Sequence, residues 1–467
     1  MFNKSSIKRA AAIAAVILAA TALPVNITKA DTKTTSNNEG KTDYIQIRTA
    51  SELVEASSNT TGNYKLMADI DMSGIEWTPW DFSGTFDGNG HSILNLTVNT
   101  VSKQTMKTYD GNRKEYDTYG AGFFGVLSNS KVSGLNIYGA RIEITATDHC
   151  FAAPIAGLTD NSDIQECDIK DTYVSLTDSA KMWGTGGIVG FGSGSLEKVS
   201  TDVTLVCVDS NAKERDEQFM GGAYGAGFLD INNCSVTIDG YDSDHGYVHD
   251  GGLVGMYMVY PLELMKTYKG EVHNNSVKGM ITFFEDNTDR RAYCKDNMGE
   301  VMSWTYNYSG FTSDFKRNET YDYSVTLKPD MCDKPEYTDV VTEPSASGYG
   351  FTTHTCSKCG YTYRDSYTIH EHNVAEYSIL EEATESKAGL ESGECSVCNQ
   401  TVYREYTYQA DAATQDSNTS VTKKAALDTP AIVFIAVAVI IVVVLLIILI
   451  RLAQVRKYRR QRKNRHN

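Results

Sequence analysis

Two C-x-x-C pairs, Cys356/Cys359 and Cys395/Cys398, stand 39 residues apart. Thiols at this spacing hold a soft metal, close disulfides or exchange electrons. The flanking sequence bears on the choice. "YTDVVTEPSASGYGFTTHTCSKC" (337–359) aligns with "YSILEEATESKAGLESGECSVC" (377–398), so one module occurs twice. Five residues before Tyr337 and Tyr377 stand Cys332 and His372. A disulfide cannot use His, whereas tetrahedral zinc accepts Cys or His. The expected ligands are Cys332, Cys356 and Cys359 in the first copy, with Asp330, His354 or Cys294 as the fourth, and His370, His372, Cys395 and Cys398 in the second. Modules this small bury little, and structural Zn²⁺ would stabilise them. In the competing arrangement Cys294 bridges to Cys332, and each C-x-x-C closes on itself, stays as thiols or does redox chemistry.

A second group mixes acids, imidazoles and an aromatic. "TATDHCF" (145–151), "LTDSAKMW" (176–183) and "DSDHGYVHDGG" (242–252) bring Asp148, His149, Asp178, Lys181, Trp183, Asp242, Asp244, His245, His249 and Asp250 toward one edge. Such an edge would bind a glycan or a metal, with Trp183 as stacking platform. The plainer reading is a row of solvated loops. Hydrolases need paired carboxylates, and no spacing here makes that pair, so no catalytic residue is assigned. "FSGTFDGNGHSILNLTV" (82–98) sets Asp87 near His91, but Asp-Gly-Asn-Gly reads as a tight turn, with Gly88 and Gly90 at φ > 0 and His91 toward solvent or packed in the turn.

The elements that position these residues repeat. "AGFFG" (121–125), "APIAG" (153–157), "GGIVG" (186–190), "GGAYG" (221–225) and "GGLVG" (251–255) end 32, 33, 35 and 30 residues apart. Each is followed by a turn and a run of period-two alternation, as in "SKVSGLNIYGARIEI", which reads as strand. Strands repeating at that period stack as coils around one core. Glycines recur where a side chain would strike the next coil. Cys150, Cys167, Cys207 and Cys234 fall on these strands as small buried residues. "TASELVEASS" (49–58) predicts a short helix with Ser51 as N-cap and Leu53 and Val54 inward, covering the open first coil.

"NYKLMADIDMSGIEWTPWDFSGTFDGNGHSILNL" (63–96) resembles the opening coils of bacterial surface proteins of the pectate-lyase-like right-handed β-helix class, and the glycine repeats resemble the GLUG motif of such proteins. The resemblance covers roughly residues 44 to 285. It implies a right-handed parallel β-helix and adhesive or display roles, and no particular reaction.

The ends set the location. Lys4, Lys8 and Arg9 precede the apolar run Ala10 to Val25, the pattern of a secretory signal over 1–30. Ala431 to Ile450 has no polar residue and is long enough to cross a bilayer. Eight Lys or Arg and no acid follow it, so the tail is expected inside and residues 31–429 outside. The layout resembles a sortase sorting signal, but Leu427-Asp428-Thr429-Pro430 is no L-P-x-T-G pentapeptide, so the helix is expected to stay as the anchor. Between the ends 31 basic residues face 59 acids. That argues against nucleic acid as a partner.

The expected architecture is mainly β. It comprises a signal peptide (1–30), a polar spacer (31–43), the β-helix (44–285), its cap or transition (286–329), Cys module 1 (330–368), Cys/His module 2 (369–408), a flexible stalk (409–429), a transmembrane helix (430–450) and a basic tail (451–467). The expected function is a membrane-anchored adhesin or display protein for an extracellular glycan or protein, with the modules as spacers. Alternatives are a polysaccharide lyase or hydrolase and a structural cell-wall stalk.

Overall fold

The computed structural model describes residues 43–109, 114–178, 180, 182–209, 217–242, 247–257, 272–283, 320–327 and 335–408. The signal and anchor segments, Lys181, Asp244, His245, Cys294, Asp330 and Cys332 lie outside them. No helix among the described residues is long and apolar enough to cross a membrane.

The described strands from Ile45–Ile47 to Thr320–Leu327 build three sheets, parallel except where Thr105–Tyr109 runs antiparallel to Glu115–Ala121 at the edge of sheet 3. One coil runs along Ala156–Gln165 in sheet 1, Asp168–Asp178 in sheet 2 and Met182–Gly186 in sheet 3. The next runs along Val189–Glu197, Ser200–Asp209 and Glu217–Gly221, each strand parallel to its counterpart below. Mainly β with parallel sheets in register, the arrangement is compatible with a β-helix. Stacking aligns like with like. Tyr64, Phe86, Val132, Ile164, Leu196, Ile231 and Val272 follow one another in sheet 1, all buried. Ile70, Ile93, Ile137, Ile169, Thr201, Val236 and Val277 do so in sheet 2. Thr201, the polar member, donates its hydroxyl to Gly187 O at 3.0 Å, which removes the penalty of burying it.

Two corners explain the sequence pattern. Between sheets 1 and 2, Asn89, Gly134, Glu166, Lys198, Asn233 and Asn274 all have φ between +55° and +60°. The N–H groups of Gly134, Glu166 and Lys198 reach the next coil, as in Glu166 N to Glu197 O at 2.9 Å. Between sheets 3 and 1 lie the glycine repeats. A Cβ on Gly222 would sit 2.2 Å from Gly252 O of the next coil, and one on Gly157 2.2 Å from Ala121 N of sheet 3. The first contact lets coils stack, and the second lets the two sheets pinch together. A second apolar cluster, including Phe151, Leu158, Phe219 and Met256, fills that elbow.

The cap helix spans Ala50–Ala56, with two differences from expectation. Thr49, not Ser51, is the N-cap, accepting from Glu52 N at 3.2 Å. Leu53 and Ala56 face the core while Val54 is exposed, because i and i+3 share a face.

Each Cys module is a three-stranded antiparallel sheet: Tyr337–Thr342, Gly350–Cys356 and Thr362–Thr368, then Ser378–Glu381, Gly389–Glu394 and Thr401–Tyr406. They do not stand apart as spacers. Module 1 lies on sheet 2. The Tyr349 hydroxyl donates to Asp69 at 2.8 Å and lies 2.9 Å from the Ser92 hydroxyl. Tyr367 exchanges two backbone bonds with the Asn95 amide, both at 2.8 Å, and donates its hydroxyl to Asp171. Module 2 lies on the cap helix through Glu405, Glu381 and Tyr403.

Candidate metal centre and the acid–imidazole edge

The turn after Gly389–Glu394 builds half of a ligand set. Cys395 N donates to Gln400 O at 3.0 Å, Asn399 N donates to Cys395 O at 2.9 Å, and Asn399 takes φ +60°. This closes the C-x-x-C into a tight loop in which Val397 N donates to Cys395 Sγ at 3.4 Å. The other half comes from the incoming chain. Ser396 N donates to Asn373 O at 2.9 Å, and Val374 bridges to Cys395. That pins the segment just after His370 and His372. The four ligand atoms then lie within 4.8 Å of one another. Cys395 Sγ is 3.8 Å from His370 Nε2, and Cys398 Sγ is 3.6 Å from His372 Nδ1. Tetrahedral zinc with ordinary Zn–S and Zn–N bonds needs S···N edges of about 3.6 Å. The donor set and its spacing fit such an ion.

The electrostatics favour the same reading. Burial pushes the Cys395 thiol up. Hydrogen bonds from the Cys398 and Val397 N–H groups and the two imidazoles outweigh it and bring it down to about 5. Cys398 moves up, through burial and its charged neighbour. Metal ligation needs thiolates, and one is available before any metal arrives.

Module 1 repeats the turn without a complete set in view. Cys356 N donates to Tyr361 O at 2.8 Å, Gly360 N donates to Cys356 O at 2.9 Å, and Ser357 N donates to Glu336 O at 2.8 Å. His354 is not a ligand here. Its Nδ1 meets Asp339 at 2.7 Å and its Nε2 meets Asp365 at 2.9 Å. Strand register also revises the alignment. Cys356 faces Tyr337, whereas Cys395 faces Val374, so Tyr337 corresponds to Val374 and not to Tyr377. The equivalence of Cys332 with His372 does not follow from that register. Among the described residues no disulfide joins any of the eight cysteines, the two C-x-x-C pairs included.

The acid and imidazole edge does not open to solvent as one surface. Trp183 is fully buried in the main core and offers no stacking platform, because its position on sheet 3 points inward. Asp178 is also buried and caps the turn by accepting from Ala180 N at 2.8 Å. His149 stacks on Tyr116 with centroids 4.1 Å apart, and His249 stacks on Phe219 at 5.0 Å. Burial holds His249 down to about 4. Among the edge residues whose burial is described, Asp148 is the exposed one, and Asp250 is buried like Asp178 and Trp183.

Within 82–98, a turn at residues 88–91 joins the strands Trp80–Asp87 and Ser92–Leu94. Asn89 N donates to Asp87 Oδ1 at 2.8 Å, with Asn89 and Gly90 at φ +55° and +79°. Gly88 serves differently, since a Cβ there would lie 2.4 Å from Gly134 O. His91 is half-buried, and its partner is Asp69, at 3.2 Å. Asp69 lies 22 residues earlier, so only the stacking of coils reveals the pair.

A mainly parallel-β scaffold with a cluster of two histidines and two cysteines that could hold a metal is the class that fold and site define. The chain is similar to the immunoglobulin A1 protease of Streptococcus pneumoniae (strain ATCC BAA-255 / R6), 23% identical over 202 residues, which is 40% of this chain and 10% of that protein. It is similar to a second immunoglobulin A1 protease of Streptococcus pneumoniae, 24% identical over 200 residues with the same coverage. The chain thus spans about a tenth of the length of these relatives. No family model matches the chain, and no solved structure matches it.

Proposed function

We propose that this is a membrane-anchored cell-surface protein. Its stacked strands form a right-handed β-helix with GLUG-type repeats, and it works as an adhesin or display protein for an extracellular glycan or protein. The observation that carries the surface reading is the stretch shared with the pneumococcal proteases, 40% of this chain but 10% of theirs. Immunoglobulin A1 is a secreted antibody, so a protease named for it works outside cells. A segment that is so small a part of one protein and so large a part of another behaves as a transferable module. Proteolysis is not carried over with it. Structural zinc belongs to the same proposal, at His370, His372, Cys395 and Cys398, and at Cys356 and Cys359 with Cys332. It suits an exported chain whose small modules need a stabiliser.

Two experiments test the reading. Protease applied to intact cells should remove residues 31–429 and spare the tail; protection of the bulk of the chain would overturn the outside assignment. The soluble ectodomain on a glycan and matrix-protein array should retain a ligand, and pectin, xylan and chitin should stay intact. Turnover would establish the polysaccharide enzyme instead. Neither binding nor turnover would leave the wall stalk. Zinc is checked by elemental analysis, with about two ions per chain expected and about one after Cys395→Ser.

A further inference from the structure

We infer that the metal of module 2 latches the N-terminal end of the solenoid. With the ion bound, the module's sheet is held against the cap helix; without it, that end opens. The inference rests on the zinc reading of the four-ligand site.

Three observations carry it. First, module 2 has almost no core of its own. Leu390 and Cys395 are its buried apolar residues, while Ile379, Leu380 and Val397 are exposed. Apart from the Arg404–Glu391 pair and the contacts of Tyr406 with Glu381 and Glu382, the ligand cluster is what ties the incoming segment 370–373 to the turn between the last two strands, and removing the ion removes that tie. Second, the strands that reach the cap carry no ligands. Glu405 accepts from the Thr49 hydroxyl at 2.8 Å and the Ser51 hydroxyl at 3.3 Å. Glu381 lies 3.8 Å from Arg48, whose guanidinium also sits over the Tyr403 ring at 5.8 Å. Glu381 and Glu405 flank the central strand Gly389–Glu394, which runs directly into Cys395. The ion thus acts on the cap through one sheet. Third, the contacted segment closes the stack. Arg48 and Thr49 join the first strand, Ile45–Ile47, to the helix that places Leu53 and Ala56 over the core. Loosening this hinge frees an edge strand and an apolar cover together.

Hydrogen exchange on the full chain in detergent micelles, zinc-loaded and chelator-treated, tests the latch. Chelation should speed exchange about tenfold or more in both 378–406 and 45–58, the scale expected when charge-assisted contacts are lost. Residues 156–197 should not change, and added zinc should reverse the effect. Glu405→Gln combined with Arg48→Ala should open 45–58 while zinc content and 378–406 stay as they were. Should that pair fail to express, Glu405→Gln alone should give the same pattern, reduced. If chelation opens 378–406 but leaves 45–58 protected, or if the variants leave the cap closed, the latch is wrong and the zinc site stands. If no zinc is found and chelation changes neither segment, the zinc reading itself fails and the latch falls with it.

Discussion

Gly222→Ala is the sharpest probe of the stacked coils. The added Cβ would lie 2.2 Å from Gly252 O and 2.4 Å from Val236 Cγ1. Heavy atoms in contact settle at about 3.5 Å, so more than an ångström must be found. Coils are held about 4.8 Å apart by their ladders, and the residue beside the glycine bonds tightly, Ala223 N to Leu253 O at 2.7 Å. Moving Gly222 away stretches that bond and the bond from Gly222 N to Gly251 O. Overpacking costs about 1–3 kcal/mol, and weakening two backbone bonds adds about 1 kcal/mol each, so roughly 3–5 kcal/mol is expected. In a unit of this size that lowers the melting temperature by roughly 10 °C. Gly90→Ala is the matched control. Its Cβ meets nothing within 4 Å, but φ is +79°. Only the left-handed backbone is penalised, by about 1–2 kcal/mol, a few degrees. Thermal unfolding followed by circular dichroism separates the two. Gly222→Ala melting within about 2 °C of wild type, or less destabilised than Gly90→Ala, would refute the reasoning about stacking.

Three further outcomes are expected. His249 is held down to about 4 by burial, so its contribution is present above its ordinary value of about 6.5 and lost as pH falls from there to about 4, at most about 3 kcal/mol; denaturant midpoints at the two ends should show a drop that His249→Phe abolishes. His354 shifts the other way, because its bonds to Asp365 and Asp339 outweigh burial. Its stabilisation is present below about 6.5 and lost as pH rises through the higher folded value; it is small because both carboxylates are exposed. An NMR titration should find its midpoint above 6.5, and Asp339→Asn should lower it. Tyr367→Phe should weaken the docking of module 1 by about 1–3 kcal/mol, because among the described residues Asp171 would keep Arg364, 3.9 Å away, as its side-chain partner; faster exchange over residues 362–368 is the readout.

What could be read from the sequence was whatever repeats locally. The period of the glycine motifs reports coil length directly, since a collision with the next coil recurs once per turn. The His370/His372 and Cys395/Cys398 set was also legible, because each half is a short-range pattern. Trp183 was misread because its strand is buried on both faces: Met182 packs in the elbow and Trp183 in the main core. Alternation of apolar and polar residues marks the inward side only when the other side is wet. The docking of the modules was illegible for another reason. Its partners, such as Tyr349 with Asp69 and Tyr367 with Asn95, are more than 250 residues apart. Nothing in either local sequence names the other.

The chemistry of that docking nonetheless follows one rule. Between residues 31 and 429 the chain carries 59 acids against 31 basic residues, so a module settling on sheet 2 meets carboxylates. Arg364 is the cation that module 1 brings near Asp171, and much of the rest is tyrosine. Tyr349 donates to Asp69 and Tyr367 to Asp171, while within the solenoid Tyr138 donates to Asp168 at 2.8 Å. A phenol brings a donor and an apolar ring together, so it can satisfy a carboxylate and bury area without importing charge. Burial alone would push Asp69 up, yet His91, the Ser92 N–H and Tyr349 carry it below its ordinary value. The rings pack on one another too, with Tyr138 and Tyr349 centroids 5.6 Å apart. An interface of neutral donors on fixed acids resists salt better than one of lysines would, because fewer full charges are paired. For modules that must stay seated on an acidic surface, that is a physical reason to use tyrosine where a charge count alone would call for lysine.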